Sequence, residues 1–80
     1  MEYYVYILQS INHSDNYYIG FSTDVKKRLK KHNEGGDKHT SKYKPWKIKN
    51  TISFADKTKA LAFEKYLKSH SGRAFAKKHF

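Results

Sequence analysis

The stretch Tyr3-Tyr4-Val5-Tyr6-Ile7-Leu8-Gln9-Ser10-Ile11-Asn12-His13-Ser14-Asp15-Asn16-Tyr17-Tyr18-Ile19-Gly20-Phe21 decides the fold. Two runs of aromatic and β-branched residues, types that suit a pleated and packed surface, flank a polar segment of turn-forming residues. This pattern predicts an antiparallel hairpin. Pairing about Asn12 sets Tyr6 opposite Tyr18, Val5 opposite Ile19 and Ile7 opposite Tyr17. Opposed residues share a face, so the phenols of Tyr6 and Tyr18 should project side by side.

Working outward, Ser22-Thr23-Asp24 supplies capping oxygens for a helix running to about Asn33, where Gly35-Gly36 stops it. Val25, Arg28, Leu29 and His32 fall on one face of that helix, and Lys26, Lys27, Lys30 and Lys31 on the other. Asp37 to Lys44 reads as a polar, basic loop. Trp46 to Phe54 alternates as a strand, with Trp46, Ile48, Ile52 and Phe54 buried and Lys47 and Lys49 wet. Asp56 caps a second helix to about Lys68, with Ala60, Phe63, Glu64 and Leu67 on one face. A break over Ser69 to Gly72 then precedes a short last helix, Arg73 to Phe80, anchored by Phe75, Ala76 and Phe80.

Composition sets the partners. The chain has 80 residues, which suits one small domain, residues 1–80, of mixed α and β class. Without cysteine it has no disulfide and no thiolate metal site, and no apolar run approaches membrane-spanning length. A cytoplasmic protein is expected. Seventeen Lys and Arg against seven acids give a formal charge of +10, which draws polyanions, nucleic acid foremost. No helix combines a broad apolar face with the aromatic anchors that a membrane surface asks for.

Two phenols, Tyr6 and Tyr18, with Arg28, His32 and Glu64 thus come from separate elements, each directed at an apolar side. Each alone has a structural use: Arg28 paired to an acid, His32 as a buried hydrogen-bonding ring, Glu64 bonded to Lys68 one turn on. Together they suit phosphate chemistry. A single carboxylate with water ligands holds a hard Mg²⁺ ion that completes its shell with phosphate. Arg28 can fork onto non-bridging oxygens, and Tyr6 needs help to act as base or water-positioner at neutral pH, with His32 nearest.

The sequence resembles the GIY-YIG nuclease superfamily, most of all its short bacterial members. Tyr18-Ile19-Gly20 stands intact as the second half-motif, whereas Tyr4-Val5-Tyr6 replaces Gly-Ile-Tyr and retains only its tyrosine. The resemblance implies a three-stranded antiparallel sheet flanked by helices and metal-dependent cleavage of DNA phosphodiesters in repair or processing. It also implies catalytic roles for Tyr6, Tyr18, Arg28 and His32, with Glu64 binding Mg²⁺ or Mn²⁺. No Asn follows Glu64, unlike some relatives. With no room for an added targeting domain, the chain is expected to bind DNA through phosphates or to borrow a protein partner. The competing reading is a basic nucleic-acid-binding module without catalysis, its tyrosines stacking bases.

Overall fold

The computed structural model describes residues 1–36 and 38–80. Its elements follow in the order β1 (Tyr3–Ser10), β2 (Tyr17–Ser22), α1 (Val25–Asn33), α2 (Lys38–Ser41), β3 (Trp46–Phe54), α3 (Lys57–Lys68) and α4 (His70–His79). The strands form one antiparallel sheet in the order β2-β1-β3. The central strand is covered on both faces, which is why its sequence runs apolar without alternation. Val5 and Ile7 pack with Ala60 and Leu67 on one side. Tyr6 and Leu8 pack with Val25 and Trp46 on the other. The sheet therefore separates two small cores, with α3 on one and α1 on the other.

The hairpin register differs from the expected one by two residues: Tyr6 pairs with Gly20, Ile7 with Ile19 and Leu8 with Tyr18. The loop is tied by Ser10 N–H to Asn16 O at 3.0 Å, Asn16 N–H to His13 O at 2.8 Å and His13 N–H to Ser10 Oγ at 3.1 Å. Those bonds move the turn one residue beyond Asn12. An even slip leaves every side chain on its expected face, so Tyr6 and Tyr18 remain together, diagonally rather than directly opposed.

Helix α1 begins where expected, with the Asp24 carboxylate accepting from Lys27 N–H at 3.1 Å. It ends before Gly35, whose φ of 81° is the left-handed conformation of a helix stop. The segment expected to be a loop instead contains the single turn α2, whose Thr40 is buried. Asp37, within that same expectation, lies outside the described residues.

Strand β3 also departs from simple alternation. Ile7 pairs with Asn50 but Leu8 pairs with Ile48, a bulge that leaves Lys49 over. The bulge reverses the faces along the strand. Trp46 and Ile48 lie on the α1 side, whereas Ile52 and Phe54 lie on the α3 side with Val5 and Tyr3. Ile48, expected to be buried, is 36% exposed there, whereas Trp46 on the same face is buried. Lys49, expected in water, is half-buried, with its Nζ 5.7 Å from the Tyr17 ring centre and donating to the Phe80 carbonyl oxygen.

The last two helices meet at Ser69, which follows α3 and caps α4 by accepting from Gly72 N–H at 3.1 Å. Helix α4 thus starts at His70, three residues before the expected Arg73. Gly72 does not break the chain. A Cβ there would lie 1.7 Å from the Tyr66 carbonyl oxygen, so glycine permits the tight turn between helices. Ala76 and Phe80 pack on the α3-side core, whereas Phe75 stays 36% exposed against Tyr66 and His79.

Candidate active site

Gly20 is where the site begins. It faces Tyr6 across the β1–β2 ladder, and a Cβ there would lie 2.4 Å from both Cζ and Oη of that ring. The missing side chain leaves room for the Tyr6 ring to lie across the neighbouring strand. Tyr6 is completely buried. Its hydroxyl lies 3.1 Å from His32 Nε2, a contact between the centre of the sheet and the last turn of α1. Tyr18 closes the cluster, its ring centre 4.7 Å from that of His32 and 6.3 Å from that of Tyr6.

His32 is itself held from behind. Its Nδ1 is 2.8 Å from Thr40 Oγ1, and the Thr40 carbonyl accepts from Trp46 Nε1 at 2.8 Å. Thr40 was not foreseen, because a lone buried hydroxyl in a one-turn helix leaves no periodic signal. The polar run His39-Thr40-Ser41 was the only hint.

Arg28, one turn before His32 and half-buried, places its guanidinium near enough to the Tyr6 hydroxyl to favour the phenolate. Burial raises the pKa of Tyr6 above its ordinary value, since an apolar surround disfavours the phenolate. The Arg28 guanidinium opposes that rise, whereas Tyr18 and Glu64 add to it. Tyr6 is therefore a protonated phenol at neutral pH. His32 thus bridges two hydroxyls, and the tautomer that carries its proton on Nδ1, toward Thr40, leaves Nε2 to accept from Tyr6.

Glu64 reaches the site from the opposite side of the sheet. Helix α3 packs on the Val5 and Ile7 face, yet the Glu64 charge is felt at the Tyr6 hydroxyl. Its side chain is 19% exposed and pairs with Lys68 Nζ at 3.2 Å, the i,i+4 contact that is the structural alternative to a metal role. Among the described residues no three His, Cys, Asp or Glu gather as a ready cage. A lone, partly accessible carboxylate fits a hard divalent ion that keeps its waters and shares a phosphate. It does not fit a metal needing several nitrogen or sulfur ligands.

Tyr6, Tyr18, Arg28 and His32 are thus brought together, with Glu64 at the margin. The outer face of α1 carries the exposed Lys26, Lys27, Lys30 and Lys31. Among the described residues no helix is long and apolar enough to cross a membrane.

Residues 2–78 match the family model described as the GIY-YIG catalytic domain. The chain is 39% identical over 74 residues to the UPF0213 protein BH0048 of Halalkalibacterium halodurans, covering 91% of this chain and 77% of that one. It is 41% identical over 66 residues to a UPF0213 protein of Streptococcus pneumoniae, covering 81% of this chain and 65% of that one. A structure-specific endonuclease subunit SLX1 homolog of Drosophila mojavensis is 38% identical over 71 residues, with 78% of this chain matching 23% of that protein. The solution NMR structure of BH0048 superposes with a TM-score of 0.58 at 33% identity, covering 98% of this chain and 84% of that one.

Proposed function

The chain belongs to the GIY-YIG family, a nuclease family, and from that premise we propose that it is a divalent-metal-dependent endonuclease cutting DNA phosphodiesters in repair or processing. The observation that carries the proposal is the 3.1 Å contact between the Tyr6 hydroxyl and His32 Nε2, beside Arg28. It supplies what a phenol with a raised pKa lacks, a base for its proton.

In this reading, water attacks phosphorus as an ester P–O bond breaks. The water passes a proton to the Tyr6 oxygen while the Tyr6 proton moves to His32 Nε2. Thr40, on Nδ1, holds the ring so that Nε2 faces the phenol. Arg28 stands where its planar cation can meet the charge growing on the non-bridging oxygens. Tyr18 packs on His32 and excludes water from that side. Glu64 would hold the divalent ion, Mg²⁺ or Mn²⁺, once its carboxylate is released from Lys68. When bound, such an ion supplies positive charge at the phosphate and the leaving oxygen. The lysines of α1 hold the DNA by its backbone, so recognition is directed by DNA structure and charge rather than by sequence.

The Glu64–Lys68 pair favours one other reading, a basic binding module without catalysis. A panel of labelled duplex, single-stranded and branched DNA, incubated with Mg²⁺, Mn²⁺ or EDTA, separates the two. Metal-dependent cleavage lost in both Tyr6→Phe and Glu64→Gln is the expected result. Tight binding of every substrate with no cleavage in any metal would establish the binding module instead.

A further inference from the structure

A second feature lies across the sheet from the lysine face of α1. A cleft of about 810 Å³ opens between the β2 edge and α4, lined by Tyr17, Lys49, Lys68, Arg73 and Lys77 among others, with Asp15 the one acidic side chain lining it among the described residues. Lys68 is paired with Glu64 and Lys49 donates to Phe80, but the exposed Arg73 and Lys77 leave the cleft positive beside Asp15 and suited to a polyanion. Tyr17 is 52% exposed, and the Lys49 ammonium 5.7 Å from its ring centre is close enough for a cation–π contact. The proposed catalysis uses none of Tyr17, Lys49, Arg73 and Lys77. The cleft nevertheless joins the site, because Tyr18 lines it while packing on His32, and Lys68 lines it while pairing with Glu64.

We infer that this cleft is a track for a single-stranded polynucleotide, gripped by Arg73, Lys77 and Lys68 at its phosphates and by Tyr17 at a base. Flanking cations with an accessible aromatic ring are the combination that binds unpaired strands, since an unstacked base has a free π-face. A duplex keeps its bases stacked inside and has no use for Tyr17. Its phosphates suit the α1 lysines, which are separated from the cleft by the thickness of the sheet. The inference rests on the nuclease reading only for its purpose. It makes the substrate a branched DNA, its duplex on the α1 side and an unpaired arm led away through the cleft.

The test measures binding of labelled single-stranded and duplex oligonucleotides of one sequence, in EDTA, across a salt series. Each strand phosphate released flattens the salt slope by about 0.7, so Arg73→Gln with Lys77→Gln should lower the single-strand slope by about 1.4. The duplex slope should stay unchanged. Tyr17→Leu should weaken single-strand binding about five-fold or more, as expected for one lost stack, and Tyr17→Trp should restore it. A thermal melt shows that each variant is folded; Arg73, Lys77 and Tyr17 are exposed, so wild-type melting is expected. Equal losses on both DNAs, no loss on the single strand, or failure of Tyr17→Trp to rescue would each overturn the inference. Because metal is excluded, an intact cleft in a protein that cleaves nothing would overturn the nuclease reading alone.

Discussion

Gly20→Ala tests the packing on which the candidate site depends, because two physical effects predict opposite signs. In a strand whose glycine faces open space, alanine should stabilise by about 0.5–1 kcal/mol by restricting the unfolded chain. Here the new methyl would lie 2.4 Å from Tyr6 Cζ and Oη and 2.9 Å from Cε1. Those atoms end a side chain, but not a free one. Tyr6 is fully buried and bonded to His32, so the ring must be driven from its place. Overpacking of this kind costs about 1–3 kcal/mol. At about 4–8 °C per kcal/mol for a domain of this size, the melting temperature should drop by roughly 5–20 °C. Cleavage should fall with it, since the displaced phenol no longer meets His32 Nε2. Thermal melts of a double-mutant cycle provide the assay. Tyr6→Leu removes the three clashing atoms, so Gly20→Ala should be neutral or stabilising in that background. Equal destabilisation of wild type and Tyr6→Leu, or a wild type stabilised by alanine, would refute the account of Gly20.

Tyr6→Phe keeps the ring and loses the hydroxyl, so cleavage should collapse while unfolding in urea shows a loss of about 1–3 kcal/mol for the unmet His32 nitrogen. The same variant carries a pH signature. The folded Tyr6 holds its proton above the ordinary phenol pKa of 10.0, so its contribution is complete below pH 10 and is lost as pH rises through the folded value. Wild-type stability measured from pH 8 upward should therefore decline beyond about 10, and Tyr6→Phe should remove that part of the decline. Thr40→Val preserves shape but leaves His32 Nδ1 without its 2.8 Å partner; a loss of about 1–3 kcal/mol and slower cleavage with Mg²⁺ are expected, whereas a variant with wild-type stability and rate would remove Thr40 from the relay. Glu64→Gln breaks only an i,i+4 pair worth about 0.2–0.5 kcal/mol, so its melting temperature should barely move while metal-dependent cleavage falls to background. Full Mg²⁺-dependent cleavage by Glu64→Gln would remove it from metal binding.

The legible parts of the fold were those fixed by parity and periodicity. Tyr3 to Leu8 runs apolar because β1 is covered on both sides, and the 3.6-residue spacing of Val25, Leu29 and His32 gives the inner face of α1. What failed depended on contacts between distant residues. Hairpin register turned on bonds among Ser10, His13 and Asn16, which composition does not order. The β3 bulge leaves one mark in sequence, the polar Asn50 where alternation from Trp46 to Phe54 asks for an apolar residue, but that alone does not say that the pairing skips Lys49. Gly72 carries a breaker's identity, but its use is to let α4 approach the Tyr66 carbonyl.

The candidate site divides along the same line. Tyr6 and Tyr18 share a face under any even slip of the hairpin, and Arg28 and His32 are one turn apart, so local spacing brings all four toward a common volume. Thr40 and Gly20 depend on the third dimension, one meeting His32 from a single helical turn, the other yielding space to Tyr6. Glu64 lies between these cases. Periodicity placed it on the inner side of α3, but nothing local tells which face of the sheet α3 covers. It covers the face away from Tyr6, which is why Glu64 touches the site through its charge and keeps Lys68 as its immediate partner. Lys68 also lines the basic cleft, so a phosphate that draws this lysine away from Glu64 would free the carboxylate on the side from which a strand arrives. Phosphate and the Glu64 carboxylate would then compete for one ammonium group, so that substrate binding readies the carboxylate for a metal, and Lys68→Gln should bind divalent ions more tightly than wild type when no DNA is present.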